Sequence, residues 1–142
     1  MERYDIAIVG TGPGGVSAAI TAKVRGKKIV LFGSRHLSEK LEKAHSILNY
    51  PGLPNISGPA LAQAFREQLD SLDIPITQKQ ITAVYAMGDY FVLQTPDDMV
   101  EATTVILAAG VVTAKALPGE EALLGRGVSY CATCDAHFYR DK

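Results

Sequence analysis

Ile6-Ala7-Ile8-Val9 runs without interruption into Gly10-Thr11-Gly12-Pro13-Gly14-Gly15. The first stretch is continuously apolar, as a buried strand requires. The second carries the complete spacing Gly10-x-Gly12-x-x-Gly15, with Ala19 four residues further on. Each glycine answers a separate physical demand. Gly10 allows a tight turn, Gly12 lets backbone approach a pyrophosphate, and Gly15 lets the following helix lie close to the strand. A pyrophosphate placed there would face N–H groups at a helix N-terminus, where the macrodipole favours negative charge. The bland alternative is a glycine-rich turn that binds nothing. Its position between a strand and a helix favours nucleotide binding, with Gly10, Thr11, Gly12, Pro13, Gly14 and Gly15 as the cradle.

Working outward, the pattern predicts one βαβ unit over residues 4–33. Tyr4 to Val9 is a strand, Val16 to Arg25 a helix of small residues, Gly26 its C-cap, and Ile29 to Phe32 the second strand. An acidic residue should end that strand to hold the ribose hydroxyls, but Gly33-Ser34 stands there. Ser34 could supply a weaker hydrogen bond, and Arg35 could meet a 2′-phosphate. Residues 34–56 read as irregular, with Asn49-Tyr50-Pro51-Gly52 as a turn signal and Glu39 to Lys43 as an exposed helical turn. A second helix should begin after Ser57, with Pro59 in its first turn, and reach about Leu72. Short strands are expected at Ile74–Thr77, Ile81–Tyr85, Tyr90–Gln94 and Thr104–Ala108, with Pro96-Asp97-Asp98 turning between the last two. After Gly110 a connector leaves the sheet. The division expected is a first domain over 1–112 and the start of a second over 113–142.

The other informative stretch is Cys131-Ala132-Thr133-Cys134-Asp135, which holds the only two cysteines of 142 residues. Two residues between cysteines suit a dithiol that closes and opens as a disulfide. Asp135 is adjacent in sequence and could handle the protons that exchange requires. Zinc is the rival reading, through Cys131, Cys134 and His137. Structural zinc usually wants two separated ligand pairs, and the sequence has no second cysteine pair. A pair of inert buried cysteines is the other alternative. Redox is the favoured reading, and no metal is assigned.

Composition narrows the class further. With 47% hydrophobic residues the chain can bury a core, and its length suits about one domain. Fourteen Lys and Arg against fifteen Asp and Glu leave a net charge of −1, so no basic face advertises nucleic acid. The longest apolar runs fall far short of the roughly 20 residues a membrane helix needs. The N-terminus lacks the pattern of a signal peptide, which makes a cytoplasmic protein the expectation. In that reducing compartment a cysteine pair is more often catalytic or metal-binding than structural.

Together these segments resemble the low-molecular-weight thioredoxin reductases, FAD-dependent disulfide oxidoreductases. The matching stretches are Gly10 to Gly15, Asn49-Tyr-Pro-Gly52, Ile56-Ser-Gly-Pro59, Val105-Ile-Leu-Ala-Ala-Gly110, Leu117-Pro-Gly-Glu120 and, most specifically, Gly125 to Asp135. The resemblance implies an α/β fold: a three-layer, Rossmann-like FAD-binding domain with a central parallel sheet and a small antiparallel β-meander, incomplete at its C-terminus. It implies that the glycine turn holds the FAD pyrophosphate and that Asn49, Ala109 and Gly110 lie near the flavin. Ile81 matches a position whose backbone meets the adenine. Cys131 and Cys134 would take electrons from the flavin and reduce thioredoxin, with Asp135 as the acid.

Two departures qualify the resemblance. The family usually carries a Gly-Gly-Gln segment after the second strand, where this chain reads Ser38-Glu39-Lys40-Leu41. That region is more similar to a branch that takes electrons from ferredoxin instead of NADPH. The chain also stops less than halfway through a typical member, before a second nucleotide site and the segment that returns to the FAD domain. The expectation is therefore a partial chain that does not by itself reduce thioredoxin with NADPH, and that works as a homodimer or with a complementary C-terminal chain. The alternative is a non-catalytic nucleotide-binding or interaction fragment.

Overall fold

The computed structural model describes residues 3–111, 116–123, 126–129 and 139–141. Contacts divide the chain into two compact units, one of residues 1–45 and 57–110, the other of 46–56 and 111–142.

The first unit opens with β1 (Tyr4–Val9), α1 (Pro13–Val24) and β2 (Ile29–Phe32). They are the expected βαβ unit, with β1 and β2 paired in parallel from Ile6 opposite Ile29 to Val9 opposite Phe32. The helix begins at Pro13, three residues before the expected Val16. Proline at the first helical position has the right φ, and the N–H it lacks would find no helical partner there anyway. Gly14 and Gly15 thus belong to the first helical turn. Gly15, Val16, Ala19 and Ala22 form the buried side of α1.

A one-turn α2 (Glu39–Glu42) follows, capped by the Ser38 hydroxyl, which accepts from the Leu41 N–H. α3 (Gly58–Ser71) is capped in the same way by Ser57, which accepts from Ala60. Leu61, Ala62, Phe65 and Leu69 form its buried stripe at helical spacing. Arg66 of α3 meets Glu42 of α2 at 3.6 Å.

Next come β3 (Ile76–Thr77), β4 (Ala83–Ala86), β5 (Phe91–Gln94) and β6 (Met99–Leu107). All six strands form one mixed sheet in the order β3-β2-β1-β6-β5-β4. The parallel sheet and the antiparallel meander are joined by β6, which pairs with β5 over Met99–Ala102 and with β1 over Ala102–Leu107. Ala102 is fully buried at this switch. Leu93 of β5 shares one core cluster with Ala7, Val30 and Phe32, so the ribbon packs over one face of the parallel strands.

All four later strands start elsewhere than expected: β4 begins at Ala83 and not Ile81, β5 at Phe91 and not Tyr90, and the shifts of β6 and β3 have visible causes. β6 starts at Met99 and not Thr104, because Thr95 closes the preceding turn. Its N–H and hydroxyl both donate to the Asp98 carbonyl, at 2.9 and 3.0 Å, and its hydroxyl accepts from the Asp98 N–H at 3.0 Å. β3 keeps only two residues. The Ile74 N–H is used by the Leu69 carbonyl at the end of α3, and Pro75 has no N–H to give to a ladder.

In the second unit, Ile47 and Ile56 pair in both directions at 2.8 and 3.2 Å, closing a loop that contains Asn49. Its α4 (Glu120–Leu123) is a single turn, whose Glu120 carboxylate accepts from the Leu117 N–H at 2.6 Å. No helix among the described residues is long and apolar enough to cross a membrane.

Candidate nucleotide site

The carboxyl ends of β1, β2 and β6 converge on the glycine turn. The Gly10 N–H donates to the Phe32 carbonyl and the Ala108 N–H to the Val9 carbonyl, both at 2.8 Å. This is the end of a parallel sheet where α/β proteins hold ligands.

The four glycines of the turn divide into two kinds. Gly10 has φ +114°, and a Cβ on it would lie 2.1 Å from the Ala108 carbonyl oxygen. A Cβ on Gly15 would lie 1.9 Å from the Gly10 carbonyl oxygen, so this position seats α1 against β1. Both are fixed by packing. Gly12 and Gly14 are the opposite case: no atom of the described residues would lie within 4 Å of a Cβ on either. They face open space, and Gly12 is the N-cap of α1 with no side-chain hydrogen bond to the helix end. The N–H groups of Gly12, Gly14 and Gly15 precede the first intrahelical bond, from Val16 N–H to the Gly12 carbonyl at 3.0 Å. The first turn also contains no acidic residue. Uncapped donors, a positive dipole end and uncrowded glycines at positions 12 and 14 fit a pyrophosphate group.

Thr11 is the exception within the turn. It is 3% exposed, and its side chain points into the protein. Its hydroxyl donates to the Leu37 carbonyl at 2.7 Å and accepts from the Ser34 N–H at 3.1 Å. The threonine side chain therefore faces the loop after β2. No signal in the glycine spacing marks this role.

The remaining expected site residues fall in different places. Ser34 is exposed at the end of β2, its hydroxyl accepting from the His36 N–H at 3.1 Å. Ala109 and Gly110 follow β6 directly, and the Ala109 nitrogen lies 3.0 Å from where a Gly10 Cβ would be. Ile81 precedes β4 and packs, partly buried, against the Ala7–Phe32–Leu93 cluster. Asn49 is exposed within the second unit. Cys131, Cys134 and Asp135 lie outside the described residues, as does His137 of the zinc alternative. Among the described residues, no group of three or more His, Cys, Asp or Glu side chains could hold a metal.

The family model for pyridine nucleotide-disulphide oxidoreductases matches residues 4–142. A thioredoxin reductase of Peptoclostridium acidaminophilum is 35% identical over 140 residues, which is 97% of this chain and 44% of that protein. Among solved structures, a ferredoxin-flavin thioredoxin reductase from Clostridium acetobutylicum is 53% identical with a TM-score of 0.78, covering 98% of this chain and 48% of that one. The thioredoxin reductase of Streptococcus pyogenes superposes with a TM-score of 0.84 at 36% identity, covering 96% and 45%. The chain thus spans a little under half the length of the curated relatives it matches. Proteins of this family are FAD-binding flavoproteins. With its mixed six-stranded sheet, its glycine turn and a match from Tyr4 to Lys142, this chain belongs to the pyridine nucleotide-disulphide oxidoreductases and has the fold of the thioredoxin-reductase-like flavoproteins among them.

Proposed function

We propose that this chain forms the FAD-binding part of a thioredoxin-reductase-like enzyme and carries its redox dithiol. One observation supports the cofactor site above the others: the uncapped N-terminus of α1, with Gly12 and Gly14 open to a ligand. Gly12, Gly14 and Gly15 would hold the pyrophosphate through their N–H groups, with the Ser34 end of β2 toward the ribose. Gly110 and Asn49 would lie toward the flavin. Bound FAD supplies two-electron redox chemistry.

The chain's own chemistry lies in Cys131-Ala-Thr-Cys134-Asp135. Reduction of a Cys131–Cys134 disulfide takes two electrons and two protons and yields two thiols. Asp135 would relay a proton to the departing sulfur. One thiolate then attacks the disulfide of thioredoxin. The second resolves the mixed disulfide, so the pair returns oxidised and thioredoxin leaves as a dithiol. NADPH or ferredoxin is the electron donor. The 53% identity to a protein named for ferredoxin favours the latter. A cytoplasmic setting suits a dithiol that must cycle.

A homodimer partner or a complementary C-terminal chain is the proposed neighbour of this part.

Thiol counting tests the dithiol. Denatured wild-type protein should show two more thiols per chain after dithiothreitol than before. Cys131→Ser and Cys134→Ser should each show no such pairwise gain. An unchanged count in oxidised wild type would contradict the reading.

A further inference from the structure

The carboxyl end of β2 has been rebuilt around Thr11. Ser34 to Leu37 form a four-residue turn, closed by the Leu37 N–H donating to the Ser34 carbonyl at 2.9 Å. Leu37 is held at φ +61°, an unfavourable conformation for a branched residue, and is 4% exposed. The Thr11 hydroxyl sits at the mouth of this turn and bonds both of its ends, accepting from the Ser34 N–H and donating to the Leu37 carbonyl. Ser34 caps the turn from within by accepting from the His36 N–H. Arg35 and His36 are left exposed at the tip.

The same threonine determines what can stand at position 33. A Cβ on Gly33 would lie 2.4 Å from Thr11 Cγ2 and 2.5 Å from Thr11 Oγ1. A carboxylate at the strand end, the usual partner of the ribose hydroxyls, has no room while Thr11 is in place. Thr11 and Gly33 therefore form a matched pair.

Resting on the FAD-binding reading, we propose that Thr11 is the positioning residue for the adenosine end of the dinucleotide site. Its buried hydroxyl pins the Ser34–Leu37 turn so that this turn, and not a strand-end carboxylate, meets the ribose. The threonine contributes without touching the ribose. It is the only side chain in the glycine turn that holds a second loop, and so it links the pyrophosphate cradle to the ribose wall.

The test combines FAD titration, followed by flavin fluorescence, with amide hydrogen exchange on the same proteins. Thr11→Val keeps the shape and removes the hydroxyl. It should weaken FAD about tenfold and speed exchange at the Ser34 amide by a similar factor, the loss expected for a buried hydrogen-bonding group. Thr11→Ser restores the hydroxyl and should hold both quantities within about threefold of wild type. Gly33→Ala, whose methyl needs the space of the threonine side chain, should reproduce the loss seen with Thr11→Val. Wild-type affinity in Thr11→Val, or equal losses in Thr11→Val and Thr11→Ser, would overturn the proposal while leaving FAD binding intact. A wild-type chain that binds no FAD would overturn the underlying reading and the proposal with it.

Discussion

In the parallel half of the sheet, backbone leaves no space for a side chain at Gly10 or Gly15, and the Thr11 side chain fills the space at Gly33. The antiparallel ribbon of β4 and β5 is built more loosely. It buries Leu93 but exposes about half of Tyr85 and Met87 and more than a third of Val84. Its polar links also lie at the surface: Arg3 stacks 4.0 Å from the Tyr90 ring centre and pairs with Glu101 at 3.6 Å. The difference shows where this fold tolerates change. The half that carries the candidate site is fixed atom against atom, whereas the ribbon is held by one buried leucine and a shared strand.

The largest effect should come from Gly15→Ala. The added methyl would sit 1.9 Å from a backbone oxygen that cannot move without pulling β1 and α1 apart. A loss of at least about 3 kcal/mol is expected, lowering the melting midpoint by roughly 10 °C or more. Calorimetry showing a near-native midpoint would mean that the helix is not seated as described.

Leu93→Ala should come next, at about 2–4 kcal/mol, because it empties the ribbon's one fully buried position against Ala7, Val30 and Phe32. Urea unfolding measures it, and a loss below about 1 kcal/mol would mean that the ribbon does not share the core. The smallest effect should be Val84→Thr, a β4 position opposite Leu93 but more than a third exposed, within about 0.5 kcal/mol in the same assay. A larger cost there would mean that the ribbon is as closely packed as the parallel half.

The two halves also differed in how legible they were. The βαβ unit could be read from Ile6 to Phe32 because an apolar strand, three spaced glycines and a small-residue helix all point to one arrangement. The extent of α3, from Ser57 with Pro59 in its first turn to about Leu72, was equally plain. The start of β6 was not, since Met99 to Ala102 mixes exposed and buried residues and its strand depends on the Thr95–Asp98 turn. β3 was overestimated because the end of α3 claims the Ile74 N–H, a competition that β-propensity does not register. At the site, the glycine spacing identified the cradle but not the division of labour within it. That Gly10 meets backbone while Gly12 and Gly14 meet open space depends on the end of β6, about 100 residues away in sequence. The Thr11 hydroxyl was hidden for the same reason, since its partners lie 23 and 26 residues away.

FAD titration of Gly12→Asp beside wild type, with thermal melts of both, tests the central claim most directly. Gly12 is the extended N-cap of α1 and no atom of the described residues crowds it, so an aspartate fits and can itself cap the helix. Stability should stay within a few tenths of a kcal/mol of wild type or rise slightly. The carboxylate would occupy the pyrophosphate position with like charge, and FAD affinity should fall by about a hundredfold or more. An intact melt with lost FAD binding is the predicted result. An intact melt with unchanged FAD affinity would show that the glycine turn is not the cofactor site.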